Sequence, residues 1–361
     1  MVIFVGLILV LALIGSRWAG KGYFEDYISQ DRIQPIKGIF ILLVFISHFV
    51  QYVPLEGILH EPYLEMKAWL GQMVVVPFLF YSGYGVTESI RKKGSAYVRS
   101  MPTRRILMVL FQFDVAVLLF IALQAVLGKT FPLRTMLFSL IGWMGVGNSN
   151  WYILAILVLY LCTFVAFWVF EDPKREWIAH LTVTALAVIF ILFMRRHRDG
   201  YWYNTVMAYV AGGWYSLFRK KIENFDRSNK FYGFALVVLA VGFYVLRRTW
   251  GSLVAYEISA VVFALLIVCV TAKVQIRNPF LAYCGKHLFS LFILQRLPML
   301  ALQNTVVAEN TYVYFIVCFV LTFGLAASFD FVIPRVWKGL LQLGERFWKN
   351  GKYFRKKTAN V

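Results

Sequence analysis

Lys37-Gly-Ile-Phe-Ile-Leu-Leu-Val-Phe-Ile-Ser-His48 is the stretch on which the reading of this chain turns. It opens on a cation, runs through apolar residues and closes on an imidazole eleven positions later. In an α-helix eleven steps of about 100° make three turns plus about 20°, so the two side chains share one face, roughly 16 Å apart along the axis. An ionisable group inside a membrane helix is costly and is a functional candidate by default. The cation reads as the helix entrance and the histidine as lying about half-way across. That layout suits a reaction whose charged reactant stays at one membrane surface while its reactive end reaches the core.

The rest of the chain sets the solvent around this helix. Of 361 residues, 60% are hydrophobic, 18% aromatic and 15% charged, against about 25% charged in a soluble domain. The fold class is an all-α polytopic membrane protein. Apolar windows of about 17–22 residues place ten spans: Gly38–Val53, Trp69–Ile90, Ile106–Leu127, Trp151–Phe170, Trp177–Met194, Asn204–Phe218, Phe231–Leu246, Ser252–Thr271, Leu288–Leu302 and Thr311–Ile333. Met136–Gly147 is apolar but too short to span and reads as a re-entrant or interfacial piece covered by protein. The first run, Val2–Ile14, is open to a signal-peptide reading. No cationic region precedes it and no small-residue cleavage site follows, so an extra anchoring helix is expected over residues 1–20. The membrane domain then covers residues 35–334, and 335–361 form a basic, aromatic tail.

Charge orients the bundle. With Lys37 and the tail on the cytoplasmic side, 28 of the 37 Lys and Arg fall in cytoplasmic segments, as the positive-inside rule requires. The N-terminus is then outside, the C-terminus inside, and the expected location is the plasma (inner) membrane. The net charge of +19 is mostly this collar and tail, which suit an anionic inner leaflet, and does not imply nucleic acid. Cys162, Cys269, Cys284 and Cys318 show no paired spacing and read as core residues, with no metal site implied. No internal repeat, Gly-rich phosphate loop or hydrolase elbow is present.

With these landmarks in order, the chain resembles the acyltransferase-3 family of integral membrane acyltransferases. The Lys37–His48 helix is similar to the family's opening helix, which carries Arg-Gly, a hydrophobic run and His. Val76-Pro-Phe-Leu-Phe-Tyr-Ser-Gly-Tyr84-Gly is similar to its Phe-Phe-x-Ser-Gly-Tyr segment. The basic elbow Arg91–Arg105, with Tyr97 and the pair Arg104-Arg105, resembles the loop leading to paired arginines. Asn150-Trp-Tyr-Ile-Leu and Gly285-Lys-His-Leu-Phe-Ser-Leu-Phe-Ile-Leu-Gln-Arg-Leu-Pro fit later landmarks. The resemblance implies a ten-helix core, to which the N-terminal helix is additional. It also implies transfer of an acyl group, usually acetyl, from cytoplasmic acyl-CoA to a cell-surface glycan or its lipid-linked precursor. It makes His48 catalytic. Lys37 stands where the family has arginine, keeping the charge but not the planar fork. Gln295 stands where many members have a second histidine.

Chemistry assigns the remaining candidates. A neutral imidazole at His48 serves as general base. Asp114 or Glu257 would orient it, with pairing to Arg296 as the alternative for either acid. Tyr84, Gln295 and Trp151 offer hydroxyl, amide and indole donors to a developing oxyanion, although ordinary packing also accounts for Tyr84 and Trp151. Lys37, Arg104 and Arg105, with Tyr97 beside them, are candidates for the CoA phosphates. Arg195, Arg196, Arg198, Arg247 and Arg248 fall in outer loops against the charge bias. They are read as an external groove for an anionic acceptor, with Trp151 in the same set, or else one span is misplaced. His180 and His197 read as structural and His287 as surface. The rival reading is a transporter or flippase for a lipid-linked saccharide, and a third is a non-catalytic partner of an export complex. The missing repeats weigh against transport.

Overall fold

The computed structural model describes residues 1–55, 57, 60–226, 229–248 and 252–358, with the side chains of 225, 226, 229 and 344–358 outside the described part. The tail aromatics and bases from Arg346 onward therefore lie outside the described side chains. Helices hold 81% of the chain. Among the described residues, eight helical segments are long and apolar enough to cross a bilayer: Gln30–Phe49, Glu61–Lys93, Ser95–Val126, Trp151–Val169, Pro173–His197, Lys230–Arg248, Leu253–Lys273 and Thr311–Leu343. The protein is an all-α, multi-pass membrane protein.

Helix α1 (Val2–Leu13) leads to a short strand β1 (Arg17–Trp18) and then to α2 (Gln30–Phe49). With 12 residues, α1 is about 18 Å long, less than the roughly 30 Å of a bilayer core. It lies against the bundle with Phe4 stacked on Phe315 at 3.8 Å. Helix α2 begins well before the expected Gly38 and ends before Val53. Lys37 is therefore two turns inside the helix rather than at its entrance, and His48 sits in its last turn rather than half-way. A hydropathy window misses the turns from Gln30 to Ile36 because their polar and apolar residues average out.

Next come α3 (Glu61–Leu70), a 3₁₀ turn and α4 (Val76–Lys93). The break falls at Gly71, whose φ of +51° suits glycine. Then follow α5 (Ser95–Met101), a π-helical turn over Pro102–Leu107, α6 (Met108–Val126) and α7 (Leu133–Leu140). Leu133, Leu137, Phe138 and Ile141 are exposed. The expectation of a piece covered by protein therefore fails for α7. It holds for the loop behind it, where Asn148, Ser149 and Asn150 are buried. There Asn150 Nδ2 donates to the Gly142 carbonyl at 2.9 Å and Asn148 Oδ1 accepts from the Val146 amide at 3.0 Å. Side chains thus satisfy backbone that no helix satisfies.

The second half comprises α8 (Trp151–Val169), α9 (Glu176–His197), α10 (Met207–Asp226), α11 (Asn229–Arg248) and α12 (Leu253–Lys273). Strand β2 (Val274–Gln275) then pairs antiparallel with β1. It is followed by α13 (Pro279–Lys286), α14 (Leu288–Leu294), α15 (Arg296–Leu302) and α16 (Thr311–Thr358). The expected span Leu288–Leu302 is two short helices meeting at Gln295. Pro298 has no amide hydrogen to offer the Leu294 carbonyl, so the ladder is interrupted there. Helix α16 continues through Pro334, past the expected end of its span.

Two close helix pairs hold the site. A Cβ on Gly38 would overlap the Leu281 carbonyl, and one on Gly285 the Gln34 carbonyl, so α2 and α13 touch backbone to backbone. Gly83 and Gly212 do the same against the Tyr209 and Phe80 carbonyls, joining α4 and α10. Small residues permit this approach in lipid. Contacts further along fix direction. Phe292 lies near His48 and Arg296 bonds Tyr52, so α2 and α13–α15 run the same way. Ser216 bonds Glu88 and Arg219 bonds Tyr84, so α4 and α10 are also parallel. Because the neighbour is backbone and cannot yield, Gly38→Val and Gly83→Val are each expected to cost at least the ~1–3 kcal/mol of ordinary overpacking. Thermal unfolding in detergent reads this. Gly324→Ala, where nothing lies within 4 Å, is expected to leave Tm unchanged or slightly raised.

Candidate active site

The N-terminal half of α2 and the C-terminal half of α4 enclose a cavity of about 550 Å³. Its lining brings together Lys37, Lys92, Arg105 and Arg219 with Tyr81, Tyr84 and Tyr160. Glu25, Asp26 and Glu88 also reach it. Glu88 is engaged by Ser216 Oγ at 2.6 Å. Lys37 lies 6.0 Å from the Tyr81 ring centre and forms no hydrogen bond or ion pair with any described group. Asp26 is paired with Arg32 at 2.6 Å, so the cavity is a chamber of net positive charge with hydroxyl walls, in the size range of small-molecule sites.

Arg105 reaches this chamber and Arg104 does not. Successive helical residues diverge by about 100°, so two adjacent arginines cannot face one cavity. The π turn at Pro102–Leu107, a feature frequent at functional sites, sets which one turns inward. Arg105 Nε donates to Tyr97 Oη at 3.0 Å, and Tyr97 is buried, so Tyr97 positions the guanidinium. Arg104 is exposed. Arg219 was not foreseen. It donates to Tyr84 Oη at 2.8 Å, pairs with Glu223 at 2.6 Å and bonds the Glu25 carbonyl at 3.1 Å. In the sequence it is one of several bases in a loop and counts as topology. Its amphipathic place on α10 carries no motif.

His48 lies at the other end of α2, eleven positions from Lys37 and therefore about 16 Å away. Its Nδ1 is buried without a hydrogen-bond partner among the described residues. Its ring lies 6.1 Å from that of Phe292. Phe292 packs on Tyr152 at 5.2 Å, and Tyr152 adjoins Ser82 of the cavity wall. A run of aromatic side chains therefore links the chamber to the histidine. Arg296 is held by Gln51 and Tyr52, three and four positions after His48.

Neither carboxylate proposed to orient His48 pairs with it among the described residues. Glu257 is buried and accepts from the Met207 amide at 3.0 Å, capping α10 at its positive end. Asp114 Oδ1 has no partner in the described part. Arg296 pairs with neither acid. It donates to Tyr52 Oη at 2.9 Å and Gln51 Oε1 at 2.6 Å. Of the oxyanion candidates, Tyr84 belongs to the cationic chamber. Gln295 Nε2 donates to the Phe292 carbonyl at 3.1 Å, leaving Oε1 buried and unpartnered. Trp151 packs edge-on against Tyr152, 5.9 Å between centroids.

The external arginines do not form one groove. Arg247 is 2% exposed, donates to the Trp69 carbonyl at 2.8 Å and lies 5.0 Å over Tyr256. It caps α3 where Gly71 breaks the chain. Arg198 sits between Trp143 and Trp202, 4.3 and 4.7 Å from their rings. Arg248 lies over Tyr244 at 5.0 Å. Arg195 and Arg196 are exposed. Sequence position cannot reveal these aromatic and carbonyl partners. His180 is buried against Phe167 and Trp214, and His197 Nδ1 contacts the Phe193 carbonyl at 2.8 Å. His287, expected at the surface, instead bonds Asp330 through Nδ1, and Ser290 Oγ donates to the same carboxylate oxygen at 2.9 Å. This joins the α13–α14 turn to α16.

A family model described as an acyltransferase domain, that of the acyltransferase-3 family, matches residues 32–330. The chain belongs to the acyltransferase-3 family and is a multi-pass membrane acyltransferase. No curated protein and no solved structure matches the chain. Family membership favours acyl transfer over saccharide transport.

Proposed function

We propose that this protein is an O-acyltransferase that takes an acyl group, acetyl first among candidates, from cytoplasmic acyl-CoA and passes it to a hydroxyl of a glycan or its lipid-linked precursor. The observation that carries this reading is the pairing on one helix of the cationic chamber with an imidazole about 16 Å beyond it. Lys37, Arg105 and Arg219 are suited to the donor's phosphates, because charge-assisted bonds to phosphate are the strong ones. The pantetheine arm spans about twelve bonds between diphosphate and sulfur. At the ~3.6 Å that three extended backbone bonds cover, it reaches roughly 14 Å. A phosphate clamp near Lys37 therefore brings the thioester close to His48.

In this reading the acceptor hydroxyl oxygen attacks the thioester carbonyl carbon and its proton passes to the His48 imidazole. The tetrahedral intermediate then collapses with cleavage of the C–S bond. The proton moves to the departing thiolate, so one ester and one CoA thiol result. In this reading the donor end faces the cytoplasm and the His48 end the outside of the plasma (inner) membrane, which the distribution of Lys and Arg supports. A cysteine at position 197 is then expected to react with an impermeant thiol reagent in intact cells. Labelling that appears only after lysis would reverse the orientation. The activity itself is tested by thiol release from acetyl-CoA with purified protein. Release that depends on an added saccharide supports the reading, and its absence with every saccharide and acyl-CoA tried would overturn it.

A further inference from the structure

His48 has a cationic neighbour in Arg296, and its surroundings are unusual. Arg296 is one helical turn beyond Phe292, the ring that faces His48. Gln295 between them keeps helical dihedrals (φ −57°, ψ −28°), so both residues project to one side despite the helix break. The Arg296 guanidinium is held by Gln51 and Tyr52, the residues three and four positions after His48. Its carbon also lies 5.5 Å over the Tyr52 ring. Orientation relative to His48 is therefore set by one short segment of chain. Both partners are neutral. Among the described residues, Arg296 forms no ion pair with a carboxylate.

A cation with no counter-ion at the edge of a membrane core is expensive and is kept where it meets a ligand. Three other bases near this end are engaged away from His48. Arg198 and Arg248 lie against aromatic rings, and Arg247 is buried on backbone carbonyls. We propose that Arg296 forms an anion seat beside His48, which selects an acceptor carrying a phosphate or carboxylate close to the hydroxyl that is acylated. This rests on the acyltransferase reading above and narrows its acceptor to acidic saccharides. Arg296 presents its remaining N–H groups from a fixed plane, which suits two oxygens of one anion.

The test uses the full protein in proteoliposomes with radiolabelled acetyl-CoA and three acceptors: glucose 1-phosphate, glucuronic acid and glucose. The wild type is expected to use an anionic sugar about ten-fold or more better than glucose, judged by kcat/KM, since hydrogen bonds to charged groups commonly contribute that much. Whichever anionic arm is favoured identifies phosphate or carboxylate. Arg296→Gln is expected to erase the preference, and Arg296→Lys to keep part of it. A general folding defect lowers all three acceptors together and leaves the ratio intact. Equal use of glucose and both anions by the wild type, or a preference that survives Arg296→Gln, would overturn the seat. Binding gives a readout without turnover. Glucose 1-phosphate or glucuronic acid, but not glucose, is expected to raise Tm of the wild type and not of the glutamine variant. A protein that releases no thiol from acetyl-CoA yet shows this shift retains the seat and fails as an acyltransferase, so the two failures are distinct.

Discussion

His48→Ala is expected to lower acyl transfer by about 10²–10⁴-fold, the usual contribution of a general base. The imidazole Nδ1 is buried and takes no hydrogen bond from the described residues, so the ring is not a structural link between helices. Its contact with Phe292 is a ring contact at 6.1 Å, which truncation loosens without stranding a polar group. The donor chamber lies about 16 Å away along α2. Acetyl-CoA is therefore expected to raise Tm of the variant as it does that of the wild type. His48→Asn, which keeps a polar side chain but no base, is expected to be equally inactive. The decisive quantity is kcat for thiol release. A folded His48→Ala protein that turns over at the wild-type rate would remove the histidine from the mechanism.

The second large effect falls on the donor. Lys37→Ala, Arg105→Ala and Arg219→Gln are each expected to raise KM for acetyl-CoA by about ten-fold or more. A bond to a charged group contributes about 1.5–3 kcal/mol, and 1.4 kcal/mol corresponds to a factor of ten. Lys37→Arg is expected to be tolerated, because the charge is kept. Arg104→Ala is expected to change KM little, since Arg104 is exposed while its neighbour lines the chamber. Acetyl-pantetheine carries no phosphates, and the variants are expected to differ little from wild type with it. Equal losses with both donors would place the defect in folding or in a different donor site.

The membrane architecture was legible because it depends on averages. Apolar runs mark spans without any knowledge of packing. The Lys37–His48 spacing was legible for a related reason, since helical geometry converts sequence distance directly into rise and angle. What the sequence hid depends on which way a side chain turns. Arg104 and Arg105 are indistinguishable as letters, and the π turn decides between them. Arg219 reads as part of a basic loop until α10 lays it against Tyr84. Arg247 reads as a free external cation until the break at Gly71 exposes the carbonyls it caps. Glu257 is likewise a helix cap, a role that needs a partner fifty positions away in the chain. The break at Gln295 was foreshadowed by Pro298, which hydropathy cannot weigh.

The central claim is that an acyl group passes from a phosphate-held donor at one end of α2 to a hydroxyl at the end bearing His48. It is tested most directly in proteoliposomes of uniform orientation, with radiolabelled acetyl-CoA enclosed on the side of Lys37 and an acidic saccharide supplied on the other. The expected result is alkali-labile label on the saccharide, one CoA thiol released per acetyl transferred, and loss of both in His48→Ala. Label that never leaves the donor compartment, or a His48→Ala protein that acetylates the saccharide as fast as wild type, would contradict the account.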